Sequence, residues 1–357
     1  MVLRLVSALV LVLLAACSGT SALREPIPAT RASPLDAALA PFEDPALIPP
    51  EIAALPYAPG RAYAVLVLLA SPAAVDLSDA ERAHRALGGF LNPVAIWRAG
   101  TSVGHALVGW RCAGGQAGMA SKTGGSHLQS YRMMQQGWGI AAVFARYGDG
   151  HVYQLGEEPE RHRRSLRNGR ARIVALEIDE AGCQRMRQAL ANYMAQPEPV
   201  RRHYTLLPTP ERPQGDACAG FALWLAGQGG ATGELPAHLM RRLTLRDSFV
   251  GRGRAPGPSV VPLETAATGP LPMRHLLRGD WNRGAVVAEV DFLDMELFQR
   301  ALERAEARAG ITRPPRIPHD DPTTRAADAA AERWLGRWHR ATAVQVGAAH
   351  AVVLSRA

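Results

Sequence analysis

Residues 215–225 read Gly-Asp-Ala-Cys-Ala-Gly-Phe-Ala-Leu-Trp-Leu, a short polar start followed by an almost continuous apolar run. This pattern predicts a helix that begins near Asp216 and runs through Leu225. Cys218 would then lie in the first turn, where free N–H groups and the positive end of the helix dipole favour a thiolate. Because the thiolate is the nucleophilic form, Cys218 is a candidate nucleophile. We expect Asp216 to cap the helix, and its negative charge would oppose the dipole.

A second candidate group lies upstream, in residues 101–110, which read Thr-Ser-Val-Gly-His-Ala-Leu-Val-Gly-Trp. Residues 103–112 are typical of a strand, and His105 stands at its beginning. A histidine there can point at a helix N-terminus packed against the sheet. With Cys218 it would form a Cys–His nucleophilic pair. The alternatives are a structural histidine and an inert core cysteine.

The elements around this pair predict an α+β fold. Apolar runs indicate strands over 63–70, 94–97, 140–147, 151–155 and 173–178. A capping-box pattern opens a helix over 78–91, and Asp179 begins another that extends to residue 195. Residues 121–126 are polar and Gly-rich, which favours a loop.

The order of histidine strand and cysteine helix resembles the circularly permuted branch of the papain-like, NlpC-type superfamily, which includes the lecithin retinol acyltransferase-like proteins. The resemblance covers about residues 95–228. It implies an antiparallel sheet packed against helices, with Cys218 as nucleophile and His105 as general base. The implied activity is that of an amidase, peptidase or esterase, or of an acyltransferase.

Two positions depart from the family pattern. Many members have Asn before the cysteine, where this chain has Ala217. The turn and strand over 147–155 resemble the segment that carries the third catalytic residue in acyltransferase relatives, and the aligned position is Gln154. An amide oxygen can orient an imidazole, so Gln154 is the candidate third residue. His151 and Glu157 are alternatives, and His127 could touch substrate.

The first twenty residues indicate export. Arg4 precedes an apolar run over 5–14 that is too short to span a bilayer, which is typical of a signal peptide. The run ends Leu14-Ala15-Ala16-Cys17, which resembles the bacterial lipobox. The resemblance implies lipid on Cys17 and a place in the cell envelope, anchored to the outer membrane and facing the periplasm. An ordinary secretory signal with a chance cysteine is the alternative.

Three cysteines remain if Cys17 carries lipid: Cys112, Cys183 and Cys218. An odd number in an oxidising compartment leaves at least one thiol free or paired between chains. Cys183 lies on the apolar face of its predicted helix and is interpreted as structural. Pairing of Cys112 with Cys183 would leave Cys218 free, although distance cannot be judged from sequence.

Composition narrows the class of partner. The hydrophobic content of 47% fits a globular core, and the net charge of +8 comes from scattered arginines with Lys122 as the one lysine. Without an aromatic stacking platform between the arginines, nucleic acid is not an expected partner. The expected partners are the membrane, through lipid on Cys17, and a cell-wall or lipid substrate. No cofactor is predicted. No metal site is predicted either, because the run His319-Asp320-Asp321 lies between prolines and is typical of an exposed loop.

The predicted organisation has four parts. Residues 1–17 are a signal peptide, 18–60 a Pro/Ala-rich tether, 61–230 the papain-like domain, and 231–357 a C-terminal α/β extension or a small second domain. In the last part we expect a strand over 285–290, helices over 294–309 and 326–340, and a closing strand over 342–354. The rival to an enzyme is a non-catalytic, lipid-anchored envelope protein that binds a partner or acts as a scaffold.

Overall fold

The computed structural model describes residues 33–90, 92, 94, 97, 104–124, 127–157, 160–313, 316 and 320–356. The described residues from 38 onward form one compact unit. The lipobox with Cys17 and the first part of the predicted tether lie outside the described residues. Within those ranges, no helix is long and apolar enough to cross a membrane.

The structure contains both helices and strands. The β-strands are β1 Ala62–Leu69, β2 His105–Arg111, β3 Ala117–Thr123, β4 Arg146–Tyr147, β5 His151–Tyr153, β6 Ala171–Ile178, β7 Met240–Arg246, β8 Val260–Val261, β9 Val286–Leu293, β10 Arg340–Val346 and β11 Ala349–Ser355. The α-helices are α1 Pro34–Leu39, α2 Pro50–Ala53, α3 Ala80–Phe90, α4 His127–Met133, α5 Glu160–Arg167, α6 Glu180–Met194, α7 Glu198–Arg201, α8 Cys218–Gln228, α9 Leu235–His238, α10 Met273–Arg278, α11 Met295–Arg308 and α12 Pro322–Leu335.

Seven strands form the central sheet, in the order β10-β11-β6-β1-β2-β3-β5. Neighbouring strands are antiparallel except β11 and β6, which are parallel. Every residue of β1 is buried, as a continuous apolar run covered on both faces should be. The predicted α+β class is therefore confirmed, but the sheet is mixed rather than wholly antiparallel.

Helices cover both faces of this sheet. On one face an apolar cluster joins Leu107 of β2 and Met119 of β3 to Leu166 of α5. On the other face α8 packs against β1, β2 and β3, and also against α6. Because side chains alternate along a strand, neighbouring residues of β2 and β3 face different helices.

The C-terminal segment belongs to the same sheet. Residues 342–354 do not form one strand; β10 and β11 make a hairpin that turns at Gly347, where φ is +59°. The parallel pairing of β11 with β6 joins the hairpin to the strands of residues 61–230, and α11 packs against β6, β10 and β11. Segment 231–357 therefore extends the central sheet.

Four sequence-based expectations need correction. Order begins before residue 61, since Leu39, Phe42 and Ile52 are buried, so residues 38–60 are not a free tether. Residues 121–123 belong to strand β3 rather than to a loop. Ile140–Phe144 is a 3₁₀ helix rather than a strand, and its apolar side chains pack into a core cluster. The predicted strand 94–97 lies mostly outside the described residues, and the two described positions, Val94 and Trp97, have helical backbone.

One disulfide joins Cys112, directly after β2, to Cys183 of α6, with 5.5 Å between the Cα atoms. This is the pairing that leaves Cys218 as a free, buried thiol. The structural interpretation of Cys183 is confirmed.

Candidate active site

Strands β2 and β3 part at one end of the sheet. β2 pairs with β1 over its whole length, starting at His105. The ladder between β2 and β3 begins only at Leu107 and Ser121. Among the described strands, the backbone of His105 and Ala106 therefore has no ladder partner on the β3 side. The N–H of Ala106 is left available for another acceptor, because an unpaired backbone donor must bond elsewhere.

Cys218 supplies that acceptor. It is the first residue of α8, and its sulfur faces the N–H groups of Ala106 and Ala219, its own N–H and the hydroxyl of Tyr204, each of which lowers the pKa of the thiol. Because the nitrogen of Ala106 is bonded to the carbonyl carbon of His105, the sulfur lies one peptide unit from the histidine. The structure thus brings Cys218 and the backbone of His105 together at the gap between β2 and β3.

Burial decides the protonation state of this thiol. Cys218 is only 6% exposed. Burial raises the pKa of the Cys218 thiol, and the lowering by Ala106 N–H, Tyr204 hydroxyl and the first N–H groups of the helix does not cancel this effect. The expectation that the helix start would make Cys218 a thiolate is therefore wrong for the unliganded site, because desolvation outweighs the dipole.

The His105 ring lies on the α5 face of the sheet. It stacks on the ring of His162 from α5, with 4.3 Å between centroids, and meets Tyr153 of β5 edge-on at 6.1 Å. His105 is 5% exposed, so its orientation is set by packing. The expectation that the ring would point straight at the helix N-terminus is wrong: the ring lies on the α5 face of the sheet, whereas α8 packs on the other face.

Ser121, and not Gln154, holds the imidazole. Ser121 Oγ lies 2.7 Å from His105 Nε2 and donates its own proton to the carbonyl of Ala106 at 2.8 Å. Since a hydroxyl has one proton, Ser121 must accept at His105, which assigns a proton to Nε2. The backbone N–H of Gln154 instead donates to Glu157, and Gln154 lines a groove of about 400 Å³.

Tyr204 closes the site from the loop before α8. Its backbone pairs with Tyr147, and its ring lies against Gly124, where a Cβ would approach the ring to 3.1 Å. Burial, and then the neighbouring Cys218, raises the pKa of Tyr204 well above its ordinary value. The phenol therefore stays protonated and donates to the sulfur.

A buried ion-pair cluster fixes the approach to Cys218. Lys122 of β3 is fully buried, and its Nζ lies 2.7 Å from Asp216 and donates to the Tyr193 hydroxyl at 2.8 Å. Arg212 binds the other oxygen of Asp216 at 2.8 Å and lies over the ring of Trp224 at 4.5 Å. Burial lowers the pKa of Lys122 to about 8, against the raising effect of Asp216, so the lysine is still charged at pH 7.

This cluster corrects the role expected for Asp216. The residue before the helix is Ala217, and no side chain caps the first turn. Asp216 binds two cations instead, so its charge is compensated and does not act on the thiol as an isolated anion.

The remaining candidates lie elsewhere. His151 is exposed, and its ring meets that of Tyr153 edge-on, with 4.8 Å between the ring centroids. Glu157 accepts a hydrogen bond from the backbone N–H of Gln154. His127 begins α4, and its side chain lies outside the described residues, as does His319. Asp321 caps α12 and binds Arg241, and no group of three metal-binding side chains occurs in the described part of the chain.

Sequence reasoning missed Ser121, Lys122, His162 and Tyr204. Ser121 and Lys122 lie in the run that its polar residues and glycines predict as a loop, and the usable signal was that Lys122 is the chain's one lysine. Nothing in the local sequence of His162 distinguishes it, since its partner His105 is 57 positions away and the contact depends on how α5 docks.

Comparison of the chain with protein-family models, with curated proteins and with solved structures found no match.

Proposed function

We propose that this protein is a lipid-anchored envelope enzyme that uses Cys218 as a nucleophile, acting as an amidase, peptidase or acyltransferase on cell-wall peptide or lipid acyl groups. One observation carries the proposal: the free thiol lies beside the backbone N–H of Ala106, the residue that follows a histidine whose Nε2 is held by Ser121. Nucleophile, base and orienting group are the parts that acyl transfer requires.

In the proposed reaction, His105 takes the thiol proton through the gap between β2 and β3 as the sulfur attacks the acyl carbon. A bond forms between sulfur and carbon, and the tetrahedral intermediate collapses when the bond to the leaving nitrogen or oxygen breaks. The imidazolium returns its proton to that leaving group. Water, an alcohol or an amine then attacks the thioester, gives its proton to His105, and releases the thiolate to be protonated again.

The raised pKa of Cys218 gives His105 a necessary role. A neutral thiol is a weak nucleophile, so attack must be coupled to proton removal. The N–H groups of Ala106, Cys218 and Ala219 and the hydroxyl of Tyr204 converge on the sulfur. Such donors also stabilise negative charge on an oxygen that develops beside the sulfur.

Export and anchoring are proposed from the sequence. The lipobox pattern at Cys17 and the Pro/Ala-rich segment after it are typical of an envelope lipoprotein. The disulfide between Cys112 and Cys183 supports an oxidising compartment. The order of histidine strand and cysteine helix supports the permuted papain-like fold, which is likewise part of the proposal.

A non-catalytic envelope binding protein is the second candidate. Its support is the low exposure of Cys218, which is 6%. In that case the thiol would be a packing residue, and the cluster around it would only stabilise the fold.

Two measurements distinguish the enzyme from the binding protein. One is the turnover of p-nitrophenyl butyrate, and the other is intact-mass detection of a butyryl adduct. The enzyme should release nitrophenol and carry the butyryl group on Cys218. Cys218→Ser, which keeps the shape, and His105→Asn should each lower turnover by about 10³-fold or more. A folded wild-type chain that gives no adduct and no turnover above these variants would favour the binding protein.

A further inference from the structure

Helix α5 has two chemically different faces. His162, Ser165 and Leu166 are buried, and His162 stacks on the candidate base His105. At 100° per residue, Arg163, Arg164 and Arg167 fall on the opposite side of the helix. That side carries one acid, Glu160, which binds Arg167. The outer face of α5 is therefore cationic, directly behind the proposed catalytic centre.

An exposed indole lies beside this face. Trp97 is 68% exposed, and the guanidinium of Arg164 lies 5.7 Å from its ring centroid. A tryptophan next to arginines is the combination found where a protein meets the boundary between lipid headgroups and acyl chains. We name Trp97 with Arg163, Arg164 and Arg167 the basic surface.

We propose that the basic surface docks on an anionic phospholipid membrane. Three arginines complement acidic headgroups, each contributing on the order of a fivefold gain in binding near the surface. The indole of Trp97 would enter the headgroup layer. The charge complementarity and the exposed aromatic ring favour a lipid surface over a soluble peptide, which would need a groove.

Docking would place the catalytic centre at the membrane, because the same helix carries His162 against His105. This rests on the proposed function: it narrows the substrate to acyl esters or amides presented at a phospholipid surface. The placement on lipid can be tested without any catalytic readout.

The test uses the lipidated full-length chain, reconstituted into vesicles of phosphatidylcholine alone or mixed with phosphatidylglycerol. Lipids with brominated acyl chains quench tryptophan fluorescence, and the difference between wild type and Trp97→Phe isolates Trp97. Because the lipid anchor holds the protein on both kinds of vesicle, added quenching reports docking. We expect quenching that requires phosphatidylglycerol and decreases at high salt.

Three triple variants decide the outcome. Arg163→Glu/Arg164→Glu/Arg167→Glu should lower the ratio of docked to undocked protein by at least about tenfold, and the matching glutamine variant by less. The control Arg274→Glu/Arg278→Glu/Arg283→Glu makes the same charge change at exposed positions in and after α10 and should dock like wild type. Cys218→Ala should also dock, so a failed enzyme assay leaves this result readable.

Three results would overturn the proposal. Equal quenching in both vesicle types would remove the role of anionic lipid. Equal loss in the α5 glutamate variant and in the control variant would show an effect of net charge alone. Retention on acidic cell-wall polymer without Trp97 quenching would assign the basic surface to a polysaccharide.

Discussion

The two ends of strand β2 differ in how they use cysteine. At the end that begins with His105, strands β2 and β3 part, and the free thiol of Cys218 lies beside the backbone N–H of Ala106. At the other end, Cys112 follows the strand directly and is bonded to Cys183 of α6. One end of the sheet is thus closed by a covalent bond, and the other is open around a thiol.

The comparison of the two ends of β2 shows how the site around Cys218 can keep its geometry without a covalent link of its own. The disulfide fixes α6 to the sheet, and α6 packs against α8, which carries Cys218. At the open end the buried cations Lys122 and Arg212 hold Asp216, two residues before the thiol. The covalent bond stabilises the layer, and the ion pairs position the helix start.

The largest effect is expected from Lys122→Met. It leaves Asp216 buried with only Arg212 as a cation, which should cost about 3–5 kcal/mol in the free energy of unfolding. Chemical denaturation measures the loss. The matched control is Arg242→Met, which breaks an exposed pair with Asp291 and should leave stability nearly unchanged. A similar small change for both variants would show that the buried cluster does not hold the open end.

Removal of the disulfide should cost less. Cys112→Ala/Cys183→Ala releases a link between residues 71 positions apart and should lower the free energy of unfolding by about 2–4 kcal/mol. Thermal unfolding with and without reductant checks this value. If the two ends are independent, the reaction at Cys218 should persist in the folded variant; its loss would mean that the closed end also positions the thiol.

Ser121→Ala should act on rate more than on stability. Without the acceptor at Nε2, His105 loses the bond that assigns its tautomer, and kcat should decrease by about 10–100-fold with little change in KM. Gln154→Ala supplies the comparison, and its loss should be the smaller. The reverse order would return the orienting role to Gln154.

The smallest effect is the pH dependence of alkylation. Because burial raises the pKa of Cys218, iodoacetamide labelling of the native protein should be slow at neutral pH and still increase above pH ~8.5, the ordinary pKa of a free thiol. The neutral thiol is favoured in the native state, so its contribution to stability is present below the unfolded pKa and is lost as pH rises through the folded value. A labelling rate that is already maximal at neutral pH would contradict this assignment.

Sequence patterns predicted most of the elements that carry the site. The apolar run of β1, the strand that starts at His105, the helix capped by Asp179 and the helix that starts at Cys218 all depend on local signals, and the structure contains each of them. The failures share a cause. Residues 121–123 look like a loop because Gly and polar residues surround them, yet pairing with β2 and β5 makes them a strand.

By itself, the sequence determined the α+β class and the helix start at Cys218. It also determined that three cysteines besides Cys17 leave one thiol unpaired when the other two form a disulfide. These follow from periodicity, capping and counting, which act over a few residues or need no coordinates. Only the tertiary structure decided that β2 and β3 part beside His105, that Ser121 holds its imidazole, and that burial keeps Cys218 protonated. Each of these depends on groups far apart in the chain, and desolvation at a site depends on everything packed around it.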